Sequence, residues 1–129
     1  MAGMKHLVEV VLVVADVRRS LRFYTDVLGL ELISPPQLAA KFLRIGAPTQ
    51  GIPQQIVLVQ RAKDTPTEPK AVLHHIGLEV APEDFQTERT RLADAGFTLR
   101  SGEHPFMPVE AFYLDDPDGN EIEIATWRG

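Results

Sequence analysis

The chain repeats itself. Residues 7–15 (LVEVVLVVA) and 73–81 (LHHIGLEVA) superimpose at an offset of 66 residues, with identities at Leu7/Leu73, Leu12/Leu78, Val14/Val80 and Ala15/Ala81. The same offset lays residues 55–59 (QIVLV) over residues 121–125 (EIEIA). Two separated matches at one spacing mark a tandem duplication, and they require a fold in which one unit is built twice. Between them, VLGLEL at 27–32 resembles DAGFTL at 94–99 after a one-residue shift, as a loop insertion produces.

Each half has the same order of patterns. A β-branched, largely apolar run comes first, as in a strand covered on one or both faces. In the first half Asp16 stands where an N-cap belongs. Val17, Leu21, Tyr24, Val27 and Leu28 follow at helical spacing, and Gly29 stops the helix. In the second half Pro82 suits a first helical turn, and Phe85, Leu92 and Ala95 form an apolar stripe ending at Gly96. Three short β-type runs follow each helix, at 30–33, 39–45 and 54–60, then at 97–100, 110–114 and 121–127. Each unit is therefore read as βαβββ, unit 1 over about 5–62 and unit 2 over about 72–127. Residues 63–71 (KDTPTEPKA), polar with two prolines, link them. At 129 residues the chain fits one domain. The expected fold is α+β, with the tandem units forming a curved, partly closed mixed sheet.

A formal net charge of -5 disfavours nucleic acid and anionic membranes, both of which reward a basic face. Small molecules are the expected partners. The absence of cysteine rules out disulfides, thiolate metal sites and cysteine nucleophiles, and points to a reducing, cytoplasmic setting. The longest uninterrupted apolar run, residues 10–15, is too short to span a bilayer.

Strand alternation sorts the remaining chemistry. In the first strand Val8, Val10, Leu12 and Val14 suit the helix side, which leaves Leu7, Glu9, Val11 and Val13 on the other. In the second half Ile76, Leu78 and Val80 oppose His75, Gly77 and Glu79, while Ile122 and Ile124 oppose Glu121, Glu123, Ala125 and Trp127. The repeat makes Glu9 the equivalent of His75 and Val57 the equivalent of Glu123. Glu9, His75 and Glu123 together suit a divalent ion such as Mn, Fe, Ni, Co or Zn, with positions left open for water and substrate. Glu123 and Glu79 are the candidate catalytic carboxylates. Glu79 shares the face of His75 two residues on, where a rim carboxylate is the plainer role. His6 and His74 fall on the helix side of the alternation and are not counted. The loop at 46–53 and the segment holding His104, Phe106 and Met107 are candidate covers for a cavity. Residues 116–120 form a turn, with Pro117 second and Gly119 fourth.

Residues 8–32 (VEVVLVVADVRRSLRFYTDVLGLEL) and 112–124 (FYLDDPDGNEIEI) resemble the opening and closing patterns of the vicinal oxygen chelate superfamily, which groups glyoxalases, bleomycin-resistance proteins and extradiol dioxygenases. The resemblance covers nearly the whole chain and implies a glyoxalase-like fold and a homodimer. It also implies metal ligands on the first and fourth strands of each unit, at Glu9, Val57, His75 and Glu123. The first of these is usually His in the family, and Val57 offers no ligand atom. Two functions follow from the resemblance. One is a metal-dependent lyase, isomerase or dioxygenase acting on a small oxygenated substrate. The other is a metal-free small-molecule binding protein of the bleomycin-resistance type, in which Glu9 and Glu123 flank a protonated His75.

Overall fold

The computed structural model describes residues 3, 6–48, 50–63 and 73–129, so all of the expected linker except Lys63 lies outside the described residues. The chain divides into two compact units, Met1–Thr67 and Glu68–Gly129. Unit 1 contains β1 (Glu9–Val14), α1 (Val17–Arg22) running on into a π-helical turn (Phe23–Val27), β2 (Glu31–Leu32), β3 (Lys41–Arg44) and β4 (Gln55–Gln60). Unit 2 contains β5 (Ile76–Glu79), α2 (Pro82–Asp94), β6 (Arg100–Glu103), β7 (Val109–Asp115) and β8 (Glu121–Trp127). Both units are βαβββ, and the α+β class expected from the repeat is the one observed.

Each unit forms its own open four-stranded mixed sheet, with strand order β1-β4-β3-β2 in the first and β5-β8-β7-β6 in the second. The first and last strands of each unit pair in parallel and the remaining pairs are antiparallel. A parallel pair needs a crossover connection, which the helix supplies. The sequence offset carries over into hydrogen bonding: Val10 pairs with Ile56 and Val11 with Val57 in unit 1, while Ile76 pairs with Ile122 and Gly77 with Glu123 in unit 2.

Burial follows the alternation. Leu12 and Val14 are buried on β1 whereas Glu9, Val11 and Val13 are exposed. Helix α1 packs on β4, and Phe23 and Tyr24, both buried, meet edge to face at 5.1 Å. The π-helical turn accommodates these adjacent aromatics where a regular α-helix was expected, since one extra residue per turn changes the face that follows it. In unit 2, α2 lies on β8, with Phe85 and Leu92 buried together with Ile76, Phe112, Leu114, Ile122 and Ile124. Each such side chain, taken fully out of water, contributes about 1.5–3 kcal/mol.

Asp16 caps α1 as expected, its Oδ1 accepting from the backbone of Arg18 at 3.0 Å and Arg19 at 3.3 Å. Replacing it with alanine leaves these donors to water, and Asp16→Ala is expected to lower the unfolding free energy by about 1 kcal/mol in denaturant titration. Pro82 opens α2. At its far end Gly96, at φ 97°, carries the chain out of the helix, and the Phe97 amide bonds back to the Leu92 carbonyl at 3.2 Å. That cap explains a shift in β6, which begins at Arg100 although the sequence pattern placed it at 97–100. Residues 97–99 leave the helix before the ladder with β7 starts.

Candidate functional site

The polar face of unit 2 is assembled across all four strands. His75 immediately precedes β5, and Glu79 lies exposed on the same face two residues after Gly77, opposite Ala125. Glu121 and Glu123 lie on β8. Tyr113 of β7 sits directly opposite Glu123, and Arg100 of β6 directly opposite Tyr113. Behind this face Phe112, Leu114, Ile122 and Ile124 are buried, so the alternation of each strand fixes which side its polar groups occupy.

One group on this face is formed by His75, Glu123 and Tyr113. Oε1 of Glu123 lies 3.8 Å from Nε2 of His75, and their side chains are 21% and 35% exposed. The Tyr113 hydroxyl donates to Oε2 of Glu123 at 2.7 Å. Two glycines make room for this pair. A Cβ on Gly77 would stand 2.8 Å from Oε1 of Glu123, and one on Gly102 would stand 2.2 Å from Cε2 of Tyr113. The hydrogen bond to the Glu123 carboxylate, with burial and the charges of Glu123 and Glu121 adding to it, pushes the Tyr113 phenol up to about 12 from its ordinary 10.0.

That shift has a sign in stability. Unfolded, Tyr113 loses its proton near pH 10.0; folded, it keeps the proton to about 12. Its contribution is therefore full below pH 10 and is lost as pH rises through 10 to 12. Unfolding followed across that window should show an alkaline loss in the native sequence that is smaller in Tyr113→Phe.

A second group adjoins the first. Nδ1 of His74 and Nδ1 of His75 approach to 2.7 Å, so one ring donates to the other, and the rings are edge to face at 4.9 Å. His74, His75 and Glu121 each present a donor atom within 4.8 Å of the other two. Arg100 donates through Nη2 to Asp115 at 2.8 Å and to Oε1 of Glu121 at 3.2 Å, bonds that raise its own pKa, Asp115 first. Imidazole nitrogens and carboxylate oxygens this close fit a borderline divalent ion at about 2.0–2.2 Å from each, after small rotations of partly exposed side chains.

Of the residues singled out in the sequence, the structure brings His75 and Glu123 together. Glu9 is exposed at the start of β1 in unit 1, opposite Gln55, and Val57 is buried opposite Phe42. Within unit 1 a hollow of about 580 Å³ is bordered by His6 and by Ile45, Ile52 and Gln54, beside the 46–53 loop, and among the described residues its lining has no carboxylate. In unit 2, Nδ1 of His104 accepts from the amides of Phe106 and Met107 at 3.2 and 3.0 Å, which makes this histidine a loop brace.

A sequence profile of the Glyoxalase/Bleomycin resistance protein/Dioxygenase superfamily matches residues 4–124. The chain belongs to this superfamily. A catechol-2,3-dioxygenase of Bacillus subtilis (strain 168) is 27% identical over 128 residues, covering 91% of this chain but only 42% of the relative, so the chain spans less than half of that enzyme. An integron cassette protein from the mobile metagenome of V. cholerae is 27% identical with a TM-score of 0.70, covering 98% of both chains. An antibiotic binding protein from Streptomyces sp. shares the fold at 23% identity and a TM-score of 0.69, again over 98% of both chains.

Two neighbours of His75 and Glu123 are not found by sorting strand faces in the sequence. Strict alternation turns His74 toward the helix, but it precedes β5, where alternation has no force, and its ring faces His75 instead. For Tyr113 the signal is that Phe112 and Leu114 on either side of it are core residues, which places it on the face of Glu123. Among the described residues no helix is long and apolar enough to cross a membrane.

Proposed function

We propose that the protein is a divalent-metal-dependent enzyme acting on a small oxygenated substrate, with chemistry of the lyase, isomerase or dioxygenase type. His75 and Glu123 are its ligands in unit 2. Glu9 holds the position equivalent to His75 under the repeat and is the candidate ligand contributed by unit 1. A bound Mn, Fe, Ni, Co or Zn ion would supply Lewis acidity toward adjacent substrate oxygens. Tyr113 holds one oxygen of Glu123, which leaves the other turned to His75. With its proton retained to about pH 12, Tyr113 remains a hydroxyl donor across the working range. Glu79, exposed on the same face, is available to accept a proton from a substrate bound there.

The observation that carries this proposal is the 3.8 Å approach of His75 to a Glu123 carboxylate whose other oxygen is already fixed. Metal content, measured on protein purified without added metal and again after titration, tests it. Stoichiometric binding is expected in the native sequence. Since losing even an outer partner of a metal ligand costs about 10- to 100-fold in affinity, Glu123→Ala should lose at least that much. Undiminished binding in Glu123→Ala would sink the assignment.

Val57, buried and without a donor atom at the position equivalent to Glu123, favours a second reading as a metal-free small-molecule binding protein. The fold shared with the Streptomyces antibiotic binding protein agrees with it. Absence of metal in both proteins, with tight binding of an apolar ligand, is the outcome that selects it. A cytoplasmic homodimer belongs to either version. The exposed valines Val11 and Val13 on β1 are the kind of surface a second copy covers, and light scattering of the purified chain checks the stoichiometry.

A further inference from the structure

We propose that His74, His75 and Glu121 form a divalent-cation position of their own within unit 2, with Arg100 as its resident competitor. It shares only His75 with the centre assigned above, and rests on that reading in this residue alone. The two ring nitrogens of His75 divide the roles. Nε2 faces Glu123, whereas Nδ1 faces Nδ1 of His74. The 2.7 Å separation of the Nδ1 atoms is that of two nitrogens sharing a proton. A cation replacing that proton, at about 2.0–2.1 Å from each nitrogen, needs them about 3.0–3.4 Å apart, an opening of less than about one ångström. Both histidines precede β5, so their rings are not held by the ladder and can make that adjustment.

Glu121 completes the set. Its donor lies within 4.8 Å of both histidine donors, and it is placed there by the turn into β8. Two nitrogens and a carboxylate oxygen leave open positions for water, as in sites that exchange or activate a ligand. The neighbouring guanidinium sets the affinity. Arg100 occupies Oε1 of Glu121 and puts a positive charge beside any incoming ion, yet it has a second partner in Asp115 to which it can withdraw. Glu123 is less available to this position, because Tyr113 fixes one of its oxygens.

Titration of the full chain with Co²⁺, read by its visible absorption and by calorimetry, tests the assignment. Two ions per chain are expected at saturation, with His74→Ala and Glu121→Ala each weakening one of them by about tenfold or more and leaving the ion at the His75–Glu123 centre, since each deletes a ligand of this position alone. Arg100→Gln should tighten it severalfold. Far-ultraviolet circular dichroism of each variant should match the native protein, because His74 is exposed and Glu121 and Arg100 lie at the surface of the sheet. If His74→Ala and Glu121→Ala bind Co²⁺ as the native chain does while Glu123→Ala does not, the position proposed here is wrong and the His75–Glu123 centre stands. If only Glu123→Ala binds normally, the converse holds. Failure of the native chain to bind Co²⁺ overturns both.

Discussion

Phe112→Ala should lower the unfolding free energy by about 3–5 kcal/mol, the range for removing a fully buried aromatic from a close-packed core. Phe112 is fully buried, meets Phe85 of α2 at a tilt of 54° with ring centroids 5.3 Å apart, and lies under the guanidinium of Arg89 at 5.8 Å. Its loss removes apolar burial, an aromatic pair and a cation–π contact at one point, and leaves a cavity between sheet and helix. Because Phe112 is flanked on β7 by Ala111 and Tyr113, any relaxation of the strand is transmitted to the hydroxyl that holds Glu123. Chemical denaturation of the native and altered chains measures the effect. A loss below about 1 kcal/mol would mean that this core is not packed as described.

Gly102→Ala is expected to act on both stability and the site. An added methyl group would lie 2.2 Å from Cε2 of Tyr113 and 3.0 Å from its hydroxyl oxygen, so the ring must move. Overpacking of this kind costs about 1–3 kcal/mol. Displacing the ring also breaks the bond to Glu123, and the phenol should titrate lower, from about 12 back toward 10.0. Ultraviolet absorption of tyrosinate against pH reads the second effect separately from the first, with Tyr24→Phe as background for the chain's other tyrosine. A destabilised protein whose Tyr113 still titrates near 12 would show that the glycine matters for packing but not for seating the carboxylate.

Most of the architecture was legible because it is written twice. A match at a single offset gives the number of units, and because the offset conserves strand pairing, it also gives which residues stand opposite one another. Capping at Asp16, Pro82 and Gly96 was legible for a local reason: each residue type satisfies or terminates a helix end by its own chemistry. The π-helical turn was not, because an extra residue in a helix leaves no mark in a 3.6-residue pattern this short. The position of β6 was missed where the helix cap and the strand compete for residues 97–99.

For the site, alternation succeeded where a ladder enforces it, at Glu121 and Glu123, and failed at His74, two residues before the ladder begins. The glycines tell a similar story. Gly77 and Gly102 appear in sequence as weak points of two strands, and only their cross-strand neighbours reveal them as space for Glu123 and Tyr113.

The turn before β8 has a consequence for the whole polar face. Buried Asp116 accepts through Oδ1 from the amides of Asp118 at 2.9 Å and Asn120 at 2.8 Å, while its Oδ2 takes the Asn120 side chain at 2.9 Å. A knot so tightly tied works as a ratchet stop on the strand that leaves it. Were β8 to slide by a single residue, Glu121 and Glu123 would be driven under α2 and Ile122 and Ile124 thrust out into water. The acid that sets the threading of this strand is thus as necessary to the chemistry of the face as the carboxylates displayed on it, though it stands on the loop behind them.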